Sequence, residues 1–505
     1  MSNENSFIYE THLEMLNDSV IAGQPLNDMI NIIKETYCSD NRPWIIGFSG
    51  GKDSTTILSL IYSSLLSLPV ESRTKHIYVV SSDTLVETPV VVDMINRVID
   101  TINKQAVKDG IPMTAHPVYP KMDQTFWVNL LGRGYPAPRQ SFRWCTERMK
   151  IDPVSSFITK RVAEFGEVVV VLGSRREESS SRAQVIAKHS IEGSPLSRHS
   201  SLPNAYTYMP IEYGTADDVW QYLMSGPCPW GGSNQALFEL YKGSNQGECP
   251  LVIDKSTPSC GNSRFGCWTC TVVTEDKAIH GLIESGESWM QPLLDFRNEL
   301  YESTKPERKT EYRNYKRRTG RVEYANNEDN TVQKHIPGPY WLKQRQDWIK
   351  KLLTIEKRLN ETGHPISLIK KEELQAIRQQ WLRDPNEPDW ADSLPKIYAE
   401  VYKDEIDWIE NDAGAFTEPD AKLLNELGER YSVSAEMIMK LIEVELSMSG
   451  LQKRNGISGK LESVLKKDWG TLEDINSRNK GSNSNNTWDD KLNQLQQEYS
   501  EASKL

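Results

Sequence analysis

The feature that most restricts the fold is a junction near the start of the chain. The β-branched, apolar run from Trp44 to Phe48 passes directly into Ser49-Gly50-Gly51-Lys52-Asp53-Ser54-Thr55, which opens an apolar stretch of helical length. A buried strand feeding a glycine turn and then a helix is the phosphate-binding half of a doubly wound α/β fold. Two adjacent glycines let the backbone approach a phosphate closely, and the free amides of the helix start, with Lys52, supply positive charge. The pattern is not a Walker loop, because Asp53 rather than Ser or Thr follows the Gly-Lys pair. Further apolar runs at His76 to Ser81, Met113 to Val118 and Glu167 to Gly173 alternate with helical patterns, so a doubly wound, mostly parallel sheet is expected over roughly the first 225 residues.

In such a fold ligand contacts gather where strands end. Asp83-Thr84-Leu85-Val86-Glu87-Thr88-Pro89 closes the second run, and a helix capping box would by itself account for Thr84 with Glu87. Gly173-Ser174-Arg175-Arg176-Glu177-Glu178 closes the fourth, where paired arginines suit a phosphate or another anion, a solvated charge run being the plain alternative. The helix expected at Asp218 to Leu223 is read as packing rather than chemistry.

Seven cysteines in 505 residues are too few for a disulfide framework, and five of the seven fall between Cys228 and Cys270. Cys249, Cys260, Cys267 and Cys270 have the spacing C-x10-C-x6-C-x2-C, with Cys145 upstream in Arg143-Trp144-Cys145-Thr146-Glu147-Arg148-Met149-Lys150. A CxxC turn can aim two thiolates at one metal, so these five are candidate metal ligands; zinc remains open, although zinc sites usually show two such pairs. Cys38 and Cys228 read as ordinary thiols.

The SGGKDST loop resembles that of the PP-loop ATP pyrophosphatases, and the Asp83 segment resembles the phosphoadenylyl-sulfate reductase branch of that group. The reductase branch carries a Cys-Cys pair where Cys145-Thr146 stands, plus a distant CxxC, so here one ligand of a 4Fe-4S cluster would have to come from Cys249 or Cys260. Together with RWCTERMK, SRFGCWTC and a long helical C-terminal part, these motifs resemble the DndC family, the sulfurtransferases of bacterial DNA phosphorothioation. The motif resemblance covers about residues 40 to 275. It implies an adenine nucleotide alpha hydrolase-like fold, with Ser49, Gly50, Gly51, Lys52, Asp53, Ser54 and Thr55 binding ATP and with Lys52, Asp53, Asp83, Arg175 and Arg176 serving catalysis. It also implies Mg2+, a 4Fe-4S cluster, DNA as the sulfur acceptor, a cysteine desulfurase as donor and companion proteins of the same modification system. An adenylyl-sulfate reductase, a tRNA thiolase and a nucleotide-sensing interaction subunit are the rival readings. The first fits less well, since that branch usually degenerates the loop lysine and aspartate and needs a cysteine near its C-terminus, whereas no cysteine follows Cys270.

Domain organisation follows from shifts in composition. Residues 1–225 form the expected nucleotide domain, 226–275 a Pro, Gly, Ser and Cys-rich cluster loop, 276–470 a helical domain, and 471–505 a polar tail with a short helix near Trp488 to Tyr499. The longest apolar runs fall short of the roughly 18 residues a membrane span needs, and the first residues lack a signal pattern, so a cytoplasmic location is expected. A net charge of −11 argues against a broadly nucleic-acid-coated surface. One local strip departs from it: between Lys305 and Arg321 eight basic residues face only Glu307 and Glu311, a net of +6, with Tyr312 and Tyr315 interleaved. Such a strip suits a phosphate backbone, an acidic partner protein or plain solvation.

Overall fold

The computed structural model describes residues 20–243, 266–325, 335–384, 386–410, 418–448 and 454–481. They fall into two compact units, the first comprising Met1–Arg308, Arg345–Arg378 and Leu394–Trp408, the second Lys309–Gln344, Gln379–Ser393 and Ile409–Leu505.

The first unit is built on one six-stranded sheet. Its strands are β1 (Trp44–Gly47), β2 (Ile77–Ser82), β3 (Met113–Val118), β4 (Val168–Val171), β5 (Leu196–Arg198) and β6 (Ala205–Tyr208), in the order β3-β2-β1-β4-β6-β5. All neighbours are parallel except β5, which runs antiparallel to β6 with Leu196 opposite Tyr208. The apolar runs reflect burial on both faces. Trp44, Ile46, Val169 and Val171 enter one core, while Ile45, Val168 and Val170 enter the other. The four parallel runs expected from the sequence are present with ends shifted by one or two residues; β5 and β6 lie outside that expectation.

Helices cover the sheet: α1 (Leu26–Cys38), α2 (Lys52–Leu66), α3 (Pro89–Lys108), α4 (Asp152–Phe165), α5 (Ser180–His189) and α6 (Ala216–Met224). Of these α2 is buried along nearly its whole length, and after Asp53 it carries only apolar or small hydroxyl side chains and no charge. In α6 the side chains of Val219, Tyr222 and Leu223 are buried, and the Tyr222 hydroxyl lies 2.8 Å from Ser59 Oγ of α2. A further helix, α7 (Gln235–Gly243), falls in the stretch whose composition suggests only loop.

Beyond Tyr208 the described residues contain helices and isolated bridges but no strand. After α7 come α8 (Lys277–Glu284), α9 (Gln291–Glu302), one turn at Lys309–Tyr312, α10 (Leu342–Glu361), α11 (Lys371–Leu382), α12 (Ser393–Tyr402), α13 (Glu418–Tyr431), α14 (Ala435–Ser447), α15 (Ile457–Leu465) and α16 (Leu472–Gly481). The second unit has small cores of its own, one around Ala421, Ala435 and Met439 and another around Met437, Val464 and Trp469. Among the described residues no helix is long and apolar enough to cross a membrane. The helix expected at Trp488 to Tyr499 lies outside the described residues.

Candidate nucleotide and cysteine site

Chain order reverses between β1 and β4, since β2 and β3 extend the sheet to one side and β6 and β5 to the other. A crevice at such a switch point is where open α/β sheets bind ligands. The segment Ser49–Thr55 leaves β1 at this point, and Gly173–Arg176 leaves β4.

Close approach sets the loop's sequence. Gly50 has φ +71°, and a Cβ there would lie 2.8 Å from Ile95 Cγ1. At Gly173 a Cβ would lie 2.8 Å from the Asp53 carbonyl carbon, so the end of β4 presses directly on the loop. Ser54 Oγ donates to the Gly51 carbonyl at 3.0 Å and stands 3.2 Å from Ser49 Oγ, folding the turn onto itself.

Charge converges on Asp53. Lys52 Nζ lies 2.7 Å from Asp53 Oδ2, and Arg175 Nε donates to Asp53 Oδ1 at 2.7 Å. The Lys52 and Arg175 side chains are only 3% and 2% exposed. The end of β4 and α7 close over the turn, through Gly173 against Asp53 and Tyr241 on the Lys52 amide. Arg176 is directed to Glu212, with Nε 2.5 Å from Oε1, and its guanidinium lies over the Tyr213 ring. The Arg175 backbone amide donates to Glu178 Oε1, and Arg182 pairs with Glu178, so this charge run is a folded turn rather than a solvated one.

One loop partner lies outside every motif. The Lys52 backbone amide, at the N-terminus of α2, donates to Tyr241 Oη at 3.1 Å. Tyr241 comes from α7, is buried, and packs edge-on against Trp220. Its only signal in the sequence is the amphipathic run around it.

The Asp83 segment holds its residues differently from a capping box. The N-cap of α3 is Thr88, which makes no side-chain cap bond, while Thr84 Oγ1 donates to Glu87 Oε1 at 3.0 Å. Asp83 Oδ1 accepts the Leu85 amide at 2.8 Å, and burial raises its carboxyl above the usual range.

Of the five candidate cysteines, Cys267 lies against this segment, with Cys145 and Cys270 as electrostatic neighbours. Cys267 pairs with Glu87 through an isolated bridge, and its Sγ stands 3.3 Å from Thr84 Oγ1 and 3.8 Å from Glu87 Oε1. The CxxC turn closes through the Cys270 amide on the Cys267 carbonyl. Its exit is clamped by the fully buried Arg297, which donates to the carbonyls of Cys270, Val273 and Thr274. Cys145 lies in the short helix Trp144–Thr146, which runs into a π turn at Glu147–Ile151 that carries Lys150 to within 3.5 Å of Glu87 Oε1. Burial pushes the Cys145 thiol up to about 11 and raises Cys267 and Cys270, each of the three also feeling a neighbouring thiol or carboxylate. Such thiols become thiolates when a metal or cation compensates them.

The donor chemistry therefore fits a soft metal or an iron-sulfur cluster, yet the described residues alone do not complete one. Among them no three His, Cys, Asp or Glu side chains come together closely enough to hold an ion. Cys249 and Cys260 lie outside the described residues. Cys228 is buried with its Sγ on Asn234 Oδ1, and Cys38 is exposed at the end of α1.

Comparison with known proteins addresses the sheet domain. Residues 43–273 match the model of the phosphoadenosine phosphosulfate reductase domain. This segment is therefore similar to the phosphoadenosine phosphosulfate reductase domain. An uncharacterized protein of Methanocaldococcus jannaschii is 28% identical over 214 residues, which are 42% of this chain and 38% of that protein. The reductase-like segment is thus shared with a relative of which well under two-thirds is spanned. Among solved structures, a phosphoadenylyl-sulfate reductase from Candida auris in a phosphate complex is 15% identical, covering 47% of this chain and 92% of its own, with a TM-score of 0.27. The U34-tRNA thiolase NcsA from Methanococcus maripaludis, with its 4Fe-4S cluster, is 13% identical over 56% of this chain and 83% of its own, with a TM-score of 0.25. Likeness at this level carries no residue role into the chain.

Proposed function

We propose that the reductase-like domain is the catalytic part of an ATP-dependent sulfurtransferase, with a DNA backbone phosphate as acceptor. One observation supports this reading: the glycine-lysine loop leaves β1 at the switch point, and the CxxC thiol of Cys267 stands against the segment that closes the neighbouring strand β2. A reductase of adenylylated sulfate, whose substrate is already activated, has little use for an intact Lys52-Asp53 pair, whereas an adenylating enzyme has.

The loop amides and Lys52 would hold the β- and γ-phosphates of ATP, with Mg2+ sharing their charge, while Arg175 fixes Asp53 and through it Lys52. A non-bridging acceptor oxygen attacks the α-phosphorus, the bond to the β-phosphate breaks, and pyrophosphate leaves. The acceptor phosphorus then carries AMP, a far better leaving group than oxide. A persulfide supplied by a cysteine desulfurase places its outer sulfur on that phosphorus as AMP departs; a second thiolate then attacks the inner sulfur, releasing the phosphorothioate and forming a disulfide that a thiol reductant reopens. Cys145, Cys267 and Cys270, with Cys249 or Cys260, would hold a 4Fe-4S cluster, which when bound supplies a dry, electron-rich centre for sulfur.

The test is anaerobic incubation of the chain and a cysteine desulfurase with cysteine, Mg2+-ATP and duplex DNA. AMP, pyrophosphate and phosphorothioate-linked dinucleotides in the digested DNA are the expected products. AMP formation with tRNA alone would hand the site to a thiolase, and ATP binding without AMP would make it a sensor. Iron in stoichiometric amount, lost on Cys267→Ser, is expected of the same preparation; zinc in its place would remove the cluster.

A further inference from the structure

A second concavity in the first unit lies on the β2 and β3 side of the sheet, away from the β1 and β4 switch point. It has a volume of about 600 Å³ and is walled by Asp83 and Glu87 after β2, Tyr119 after β3, Trp289, His364 and Lys370. That size suits one nucleoside. Flat rings form part of its wall, among aliphatic side chains: the Trp289 ring stacks on His364 with centroids 4.9 Å apart and planes 16° apart, and Lys370 Nζ lies 5.0 Å over the Tyr119 ring. Trp289 is held in place by its indole N–H, which donates to Glu287 Oε2 at 2.5 Å.

The lining favours one kind of ligand. Asp83, Glu87, Asp93, Glu287 and Glu373 line the cavity against Arg97 and Lys370, an excess of acceptors that suits a group rich in amino donors inside it, the phosphate staying at its rim. Aromatic faces with carboxylate acceptors are the means by which proteins hold an unstacked base and read its exocyclic amine. Location adds a reason, since Glu87, one wall of the cavity, also stands 3.8 Å from Cys267 Sγ. A base seated there would bring its own backbone phosphate toward the thiols.

We propose that this cavity receives an unpaired nucleobase bearing an amino group, taken from the acceptor strand and stacked against Trp289 and Tyr119. The inference rests on the sulfurtransferase reading and adds to it that the acceptor base leaves its stack. Single-stranded acceptor then binds the cavity better than duplex, because unstacking has already occurred.

The test uses the full chain and 2-aminopurine deoxyriboside, free and placed within a single-stranded oligonucleotide, with fluorescence as the signal. Saturable quenching is expected with wild type, and roughly tenfold weaker binding for both Trp289→Ala and Tyr119→Ala. Tyr119 is 48% exposed, so its variant keeps the fold even if the Trp289 change does not. Pyrophosphate binding should persist in both variants, and Lys52→Ala should lose pyrophosphate while keeping the quenching. Absent quenching, or quenching equal in wild type and Tyr119→Ala, overturns the base site and leaves the nucleotide loop standing. Displacement of the probe by a lysine-rich peptide but by no nucleoside also overturns it, in favour of a basic protein segment. Wild type that binds no pyrophosphate sinks the underlying nucleotide reading instead.

Discussion

Lys52 and Arg175 meet on a single carboxylate although 122 positions separate Arg175 from Asp53, whereas the cations of the Lys305 to Arg321 strip, contiguous in sequence, disperse onto separate partners. Lys305 and Arg308 turn back to Glu302, a partner that counting charges within the strip does not include. Arg313 is buried and donates to the carbonyls of Gly338 and Pro337, both at 2.6 Å. Arg317 reaches the Pro337 carbonyl and Glu323, and Lys316 lies over the rings of Tyr315 and Trp469. Five of the eight basic residues of the strip therefore hold together their own neighbourhood. Charge density along a sequence is a poor guide to a binding surface, while convergence of distant charges onto one group is a good guide to chemistry.

The sharpest way to break this contrast is Asp53→Ala. It leaves two nearly inaccessible cations without their shared carboxylate, and removing one partner of a buried ion pair destabilises by roughly 3 to 5 kcal/mol. Urea unfolding of the full chain should show that loss together with loss of pyrophosphate release. Undiminished stability would mean that the network is tuned for the ligand alone.

Next in size is Arg313→Ala. The two carbonyls it serves lose a charge-assisted donor, for an expected loss of roughly 2 to 3 kcal/mol. Arg313→Lys should recover only part of it, because an ammonium lacks the planar fork that reaches both oxygens. If Arg313→Ala is silent in unfolding but weakens DNA binding, the strip is a nucleic-acid surface after all.

These cases show what the sequence makes legible. Strands β1 to β4 can be read because parallel strands buried on both faces must be continuously apolar, as Val168 to Val171 are. Strands β5 and β6 cannot: β5 spans three residues, Leu-Ser-Arg, at an antiparallel edge, and carries no period long enough to recognise. The loop's position can be read from two glycines and a lysine, but its burial cannot, since burial depends on Gly173 arriving from β4 and Tyr241 from α7. Cys145, Cys267, Thr84 and Glu87 each stand out in the sequence, but only the fold joins them.

Tyr241→Phe sharpens the loop side of the comparison. In the structure the amide at the start of α2 is satisfied by a protein hydroxyl, a group that an incoming phosphate must displace. Removing the hydroxyl while keeping the ring should tighten pyrophosphate binding by roughly two- to tenfold, the range of one ordinary hydrogen bond. Calorimetric titration with inorganic pyrophosphate measures it. Weaker binding would instead make Tyr241 a phosphate ligand.

The smallest effect is expected at the exposed end of the strip, where Arg318 and Arg321 differ from the buried Arg313. Replacing both by Ala should change unfolding stability by no more than about 0.5 kcal/mol, as exposed positions generally do. Their value as a test lies in salt dependence. If these two side chains touch a phosphate backbone, the slope of log affinity for duplex DNA against log salt should flatten by up to roughly 0.9 for each phosphate left without its arginine. ATP turnover without DNA should stay at the wild-type rate, because neither residue takes part in the loop network around Asp53. An unchanged slope would assign the whole strip to structure, and with it the view that here only convergence, never density, marks where this chain meets its substrates.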